Sequence, residues 1–312
     1  MNPVPNVVIG IPTFKRAAGL TRLLASIEEI RTTCNVSVLV GDNEGHGGAG
    51  LGVVAELEAR GYRFPIEAMP VPERGISPVR NALMKRALHE RKADALVMVD
   101  DDERVEPDWL QALVDVWQEG GFDVVGGAVL PEFEAPPPTW VKGLHLYWRR
   151  IHGRGAIDMV QSTCSVLIAR SVAERYGDQW FDAAFALTGG GDREYFMRLK
   201  MRGATFGFAP AAISHESFSS SRTTVRWALQ RAYRIGSGDA RMFLLHQAKG
   251  RGVAREMAKL CAAMLAGACA VLVCSPIPRL RMKYVVLLSR QMGKLNGYFG
   301  KPPEVYRQVH GS

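Results

Sequence analysis

Cysteine is scarce and unpatterned: Cys34, Cys164, Cys261, Cys269 and Cys274 include no C-x-x-C pair, which argues against a zinc site and a disulfide framework. A reducing compartment fits best. The N-terminal MNPVPNVVIGIPTF has no basic residue ahead of its short apolar run, so it reads as a first strand and export is not expected. Repeats are missing, and the only low-complexity stretch is a triple proline at 136–138. Acidic residues almost vanish from the final quarter. Residues 226–312 hold about 15 Lys and Arg against about 3 Asp and Glu, so that region carries roughly +12 and the rest about −4 of the formal +8.

What remains is a globular composition. With 312 residues, 47% of them hydrophobic, the chain can bury one large core or two smaller ones, and disorder is excluded. Residues 6–11 read as a strand and 19–30 as a helix; the pattern repeats with a strand at 36–40, a Gly-rich loop at 45–52 and a helix at 53–60. A short strand at 65–69, a helix at 78–91 and an apolar strand at 95–99 follow. Such alternation predicts a mostly parallel sheet with helices on both faces, whose ligands bind beyond the carboxyl ends of the strands. Further along, the pattern gives a helix at 109–118, strands at 124–130 and 160–169, an acidic Pro-rich loop at 131–138, and a helical, basic, apolar last third.

Several candidate residues sit at those strand ends. Asp100, Asp101 and Asp102 are consecutive carboxylates that repel one another unless a cation neutralises them, and oxygen donors of this kind favour Mg²⁺ or Mn²⁺ with positions left for phosphate. The competing reading is a solvated acidic turn before the helix that follows Pro107. Asp192 follows three glycines and starts an amphipathic segment, which suits either a carboxylate presented at a helix start or a plain N-cap.

The segments IPTFKR (11–16), VGDNEG (40–45), RGISPVRNALMKRAL (74–88), VDDDERVEPDWL (99–110) and TGGGDREYFMRLKMRG (188–203), taken in order, resemble family 2 glycosyltransferases over about the first 235 residues. Within that family the style is that of bacterial exopolysaccharide enzymes of the succinoglycan glucosyltransferase type. The resemblance implies a GT-A fold, an α/β Rossmann-like nucleotide-binding sheet, over residues 1–220; the sequence pattern adds a basic, helical C-terminal extension over 221–312. It also implies that Pro12, Thr13 and Asp42 line the nucleotide pocket, that Arg80 and Asn81 lie near the diphosphate or ribose, that Asp100 and Asp101 face the donor, and that Asp102 ligates Mg²⁺ or Mn²⁺ with Asp100. Asp192 matches the catalytic base, although the Glu usual before it is replaced by Gly191, leaving Glu194 as a second carboxylate. His215 resembles a histidine that completes metal coordination, and Arg222 and Arg231, in RTTVRWALQRAYRIG (222–236), resemble phosphate partners. Turn capping for Thr13 and Asp42, a loop role for His215 and a surface role for the arginines stay open.

The function implied is inverting transfer of a sugar, glucose from UDP-glucose as the first candidate, to a glycan or lipid-linked oligosaccharide in cell-surface or exopolysaccharide synthesis. Two rivals remain. A sugar nucleotidyltransferase needs a basic Gly-rich loop after the first strand, which PTFKRAAGL matches poorly, and a non-catalytic carbohydrate-binding or scaffold protein would not need Asp192. The uncharged run at 260–274 spans roughly 22 Å as a helix, short of a hydrocarbon core near 30 Å. Flanked by Lys249, Arg251, Arg255 and Lys259, then Arg279, Arg281 and Lys283, it suits a helix lying on an anionic inner-membrane surface, with a buried core helix as the alternative. The expected location is cytoplasmic, peripheral to that membrane. Nucleic acid is disfavoured, because the basic residues alternate with apolar runs and not with stacking aromatics.

Overall fold

The computed structural model describes residues 3–246 and 251–300 of the chain; Lys249 lies outside them. Strand β1 (Asn6–Thr13) is a β-branched run buried from its second residue on, and it pairs in parallel with β2 (Asn35–Asp42) and β4 (Ala95–Met98). β3 (Ile66–Pro70) extends this parallel half beyond β2. The remaining strands are β5 (Glu103–Val105), β6 (Val124–Phe133), β7 (Gly155–Ile157), β8 (Val166–Ala169) and β9 (Phe206–Phe218). Together they make one nine-stranded sheet in the order β3-β2-β1-β4-β8-β6-β9-β5, with β7 on β9.

The sheet is mixed where the sequence pattern implied mostly parallel pairing. β8 lies antiparallel between β4 and β6, and β9 is parallel to β6 but antiparallel to β5 and β7. Strict alternation of strand and helix ends at β4, which β5 follows directly; α4 (Trp109–Gly120) leads into β6, and the connection from β6 to β8 is a largely irregular excursion, so no helical crossover forces a parallel return. Only 166–169 of the expected strand 160–169 pairs. Ser165 turns at positive φ, and the residues before it leave the sheet for polar partners.

Helices cover both faces. On one, α1 (Ala17–Glu28), α2 (Ala49–Ala59) and α4 bury Leu20, Leu24, Val54, Leu57, Trp109 and Leu113. α2 begins four residues earlier than the periodicity suggests, inside the Gly-rich segment, because Gly50 and Gly52 are accommodated in its first turn. On the other face lie α3 (Ile76–Met84) with a widened π turn (Lys85–Glu90), α5 (Arg170–Tyr176) and α6 (Gly191–Met201), packed through Val79, Leu83, Val172, Tyr195 and Leu199.

The C-terminal region is helical, as the sequence pattern implied: α7 (Val225–His246), α8 (Arg251–Val273) and α9 (Pro278–Phe299). α7 and α9 cross at backbone contact. A Cβ on Gly236 would lie 1.9 Å from the Arg290 carbonyl oxygen and one on Gly293 1.9 Å from that of Tyr233, so only glycine permits this approach. Ala228, Ala232, Met282 and Val286 share a third core with Val141, Tyr147 and Phe218. α8 behaves differently. It extends beyond the uncharged run back to Arg251, which makes its 23 residues about 34 Å long, enough to reach across a hydrocarbon core. Within Gly252–Val273 the most apolar 18-residue window has a mean hydropathy of 1.8 and is 11% buried, so α8 does not pack as a core helix.

Candidate active site

Register brings the candidate residues together. β1 and β2 are aligned so that Pro12 sits beside Gly41 and Thr13 beside Asp42, while β4 runs alongside β1 up to Met98. Asp100, Asp101 and Asp102 therefore emerge at the same edge as Pro12 and Thr13, and all five line a cleft of about 820 Å³. The cleft continues past Asp192 and Arg222 to α7 and α9.

The three carboxylates are not left to repel one another. Arg80, itself buried, places Nη2 3.4 Å from Asp100 Oδ1 and stacks on Phe181. Arg16 Nη1 donates to Asp101 Oδ1 at 3.1 Å and to Asp102 Oδ2 at 2.8 Å, and Arg222 Nη1 donates to the same Asp102 oxygen at 3.0 Å. Three arginines thus supply the positive charge that the sequence alone assigned to a metal. Asp101 points inward and accepts from the Thr13 hydroxyl at 2.9 Å; burial pushes its carboxyl up to about 7 against the pull of Arg16. For Asp102, burial raises the pKa but Arg16 and Arg222 outweigh it and hold the carboxyl below its ordinary value. Glu103, the next residue, is buried, and this burial, reinforced by Asp100, pushes it up to about 8.

Asp100 and Asp102 keep side-chain edges of 25% and 20% exposure toward the cleft, whereas the Asp101 side chain is only 8% exposed. Asp100 and Asp102, two positions apart, thus offer hard carboxylate oxygens to the cleft, the donor type that divalent cations of the Mg²⁺ or Mn²⁺ kind accept. A further cluster lies beneath: ligand atoms of Asp100, Glu103 and Cys164 fall within 4.8 Å of one another.

Asp192 lines the same cleft at the second residue of α6, after Gly189 and Gly190, both at positive φ. A carboxylate there is favoured by the positive end of the helix. Consecutive residues connect it to the aspartate triplet: the Thr163 N–H reaches Asp192 Oδ2 at 3.4 Å, and the Cys164 thiol donates to Asp100 Oδ2 at 2.9 Å. Gly191, where the resemblance leads one to expect Glu, packs on Phe185, whose Cβ would lie 3.2 Å from any added Cβ.

Other expected residues are placed elsewhere. Asp42 is fully buried, and its oxygens accept from the N–H groups of Glu44 at 2.9 Å and Leu51 at 3.2 Å, which is turn capping; its neighbour Asn43 lines the cleft instead. Asn81 bonds the backbone of Phe181 both ways at 2.9 Å. His215 lies on the face of β9 opposite to the cleft-lining Glu216 and meets Glu106 at 2.7 Å, so it is not brought to the aspartates. Glu194 is buried against Arg198 and His246. Arg231 lines the cleft, but beside Trp227 and 3.9 Å from Glu216.

Sequence reasoning missed Arg16, Arg149, Cys164 and Glu216. Arg16 stood inside the IPTFKR segment without a role, and nothing local marks the Arg149–Glu216 pair at 2.7 Å, which joins residues far apart in the chain.

Comparison with known proteins agrees with this geometry. The sequence matches the family described as "Glycosyl transferase family 2" over residues 8–177 and "Glycosyl transferase family group 2" over residues 95–290. It is 27% identical over 304 residues to the "Succinoglycan biosynthesis protein ExoM" of Rhizobium meliloti, covering 96% of this chain and 94% of that one. A shorter stretch of 56 residues, 18% of each chain, is 39% identical to the "Glucosyl-dolichyl phosphate glucuronosyltransferase" of Haloferax volcanii. Among solved structures, S. aureus TarS 1–349 in complex with UDP-GlcNAc superposes with a TM-score of 0.51 at 13% identity over 92% of both chains. A longer TarS structure gives 0.52 at 13% identity, over 94% of this chain and 54% of that one. These two likenesses show the fold, GT-A.

Proposed function

Because the chain belongs to glycosyl transferase family 2, we propose that it transfers a hexosyl unit, from UDP-glucose as first candidate, to a glycan or lipid-linked oligosaccharide acceptor in cell-surface or exopolysaccharide synthesis. The observation that carries the reading is the connection of Asp192 to Asp100 through the adjacent residues Thr163 and Cys164, so that a carboxylate at a helix start and the acidic triplet share one cleft. The near full-length likeness to a succinoglycan biosynthesis protein supports the polysaccharide pathway.

In this reading Pro12, Thr13, Asp100 and Asp101 wall the donor side, and Arg16, Arg80 and Arg222 offset the charge of its phosphates. Asp100 and Asp102 hold a divalent cation, which when bound supplies positive charge for the departing nucleoside diphosphate. Asp192 takes the proton of the acceptor hydroxyl while that oxygen bonds to the anomeric carbon and the carbon–diphosphate bond breaks. A single displacement inverts the anomeric centre. Arg231 stands on the acceptor side, beside Trp227.

The exposed apolar surface of α8 and the cations Arg279, Arg281 and Lys283 at the start of α9 suit docking to the anionic cytoplasmic leaflet. The test of the transfer reading is release of nucleoside diphosphate from UDP-, GDP- and dTDP-sugars, with Mn²⁺, Mg²⁺ or chelator, with and without a lipid-linked glycan acceptor. Acceptor-stimulated release is the expected result. Release of pyrophosphate from a nucleoside triphosphate and a sugar phosphate would make the protein a nucleotidyltransferase instead.

A further inference from the structure

α6 carries Asp192, yet much of what holds its first turn in place comes from the C-terminal helices. Arg193, the residue after Asp192, pairs with Asp239 on α7. The second Asp239 oxygen accepts from Arg290 of α9 through Nε at 3.0 Å and Nη2 at 2.6 Å. The Asp239 side chain is 11% exposed, so one nearly buried carboxylate is shared by two guanidiniums from different elements. Parallel links run beside it: His246 meets Glu194 Oε1 at 3.1 Å, and Arg241 donates to the Ala184 carbonyl at 2.9 Å and to the Thr188 hydroxyl at 3.4 Å.

The loop entering α6 supplies little stiffness of its own. Gly189 and Gly190 sit at φ of +77° and +87°, a region glycine enters and leaves at low cost. By contrast, α7 and α9 need no salt bridge to stay together, since they interlock through Gly236 and Gly293 and share the apolar core around Met282 and Val286. The Asp239 clamp is therefore superfluous for joining α7 to α9 and well placed for joining both to α6.

We propose that Asp239 is a positioning residue: by gripping Arg193 from α7, with Arg290 fixing its orientation from α9, it sets the height of the first turn of α6 and so of the Asp192 carboxylate over the donor. The inference rests on the reading of Asp192 as base. It makes the basic tail part of the transfer machinery. Displacement of a reacting group by about 1 Å costs on the order of 10²-fold in rate, so a clamp of this kind acts on turnover and leaves donor binding alone.

The test combines kinetics with amide hydrogen exchange. UDP release from UDP-glucose, with water and with octyl β-glucoside as acceptors, is measured for Asp239→Asn, Asp239→Glu, Asp192→Asn and the double Asp192→Asn/Asp239→Asn. Asp239→Asn is expected to lower kcat roughly 10-fold or more with UDP affinity and KM for UDP-glucose within about 2-fold, to speed exchange over residues 184–196, and to be partly rescued by Asp239→Glu. In the Asp192→Asn background it should cost nothing further. An equal loss in both backgrounds, or unchanged exchange over 184–196 with unchanged kcat, overturns the clamp. Near-normal turnover of Asp192→Asn alone overturns the base assignment, and the exchange arm still decides whether Asp239 holds α6. Should Asp239→Asn fail to fold, Arg290→Gln, on a side chain 42% exposed, removes only the outer half of the clamp and is judged by the same readouts.

Discussion

Arg222 and Asp102 meet at 3.0 Å, on a carboxylate oxygen that also accepts from Arg16 at 2.8 Å. One oxygen therefore gathers a guanidinium from the turn after β1 and another from the turn before α7, closing the cleft across its acidic edge. A donor diphosphate is a stronger attractor for such arginines than a single carboxylate, since it offers more anionic oxygens. Under the proposed reading, donor, cation and arginines redistribute around Asp102 together.

Donor binding should therefore be metal-linked. UDP titrated calorimetrically with Mn²⁺ or Mg²⁺ is expected to bind at least about 10-fold tighter than with chelator, and Asp102→Asn should abolish the difference. Equal affinity with and without chelator would remove the cation from Asp100 and Asp102.

Arg222→Ala should weaken UDP binding by roughly 10-fold, the worth of a charge-assisted hydrogen bond of about 1.5 kcal/mol, while Arg222→Lys recovers part of it. The same calorimetry reads both. An Arg222→Ala protein with unaltered UDP affinity would confine Arg222 to the role of tethering Asp102.

Asp192→Asn should keep UDP-sugar affinity and lose transfer by roughly 10²-fold or more, as removal of a general base does. Steady-state turnover beside donor affinity separates the two effects. Loss of affinity with turnover preserved would make Asp192 a donor contact.

For Asn81 the expected defect is one of stability. Its side-chain amide bonds the Phe181 N–H and carbonyl, both at 2.9 Å, and removing a bonded pair that is partly buried costs about 1–3 kcal/mol. Asn81→Ala should lower the denaturation midpoint and change UDP affinity by no more than about 3-fold. The reverse pattern would return Asn81 to the donor pocket.

Vesicle binding tests the α8 surface. Each exposed leucine contributes about 1.5–3 kcal/mol when fully buried and each nearby cation about 1 kcal/mol, so apolar depth should dominate over charge. The double variant Leu265→Glu/Leu272→Glu is expected to lose sedimentation with anionic vesicles while keeping UDP affinity, and salt should release the native protein only in part. Unchanged sedimentation of the double variant would clear α8 of the role.

The parallel half of the sheet was legible because β1, β2 and β4 are apolar runs separated by helical periodicity, and such units have a single favoured way to assemble. Asp100, Asp102 and Asp192 were legible as strand-end and helix-start acids. The antiparallel β8 was not, because four apolar residues carry no direction of pairing. Arg16 was hidden for another reason: its partners lie 85 and 86 residues away, and nothing in local pattern says that a guanidinium will take charge that a metal could equally take. His215 misled because alternation along β9 decides its face, and the register of that strand is fixed by β5 and β6, not by its own sequence.

β9 also governs the order in which the molecule can be completed during synthesis. β5 begins one residue after Asp102 and, among the described strands, finds its hydrogen-bonding partner in β9 alone, which ends at Phe218. Until that residue has left the ribosome, β4 has both its neighbours, β1 and β8, but β5 has no partner, and β6 exposes an unpaired edge that invites association with other chains. A fragment ending near residue 177 would contain all three aspartates and still lack the strand that encloses them. Truncation from the C-terminal side should thus yield aggregation long before it yields a smaller enzyme.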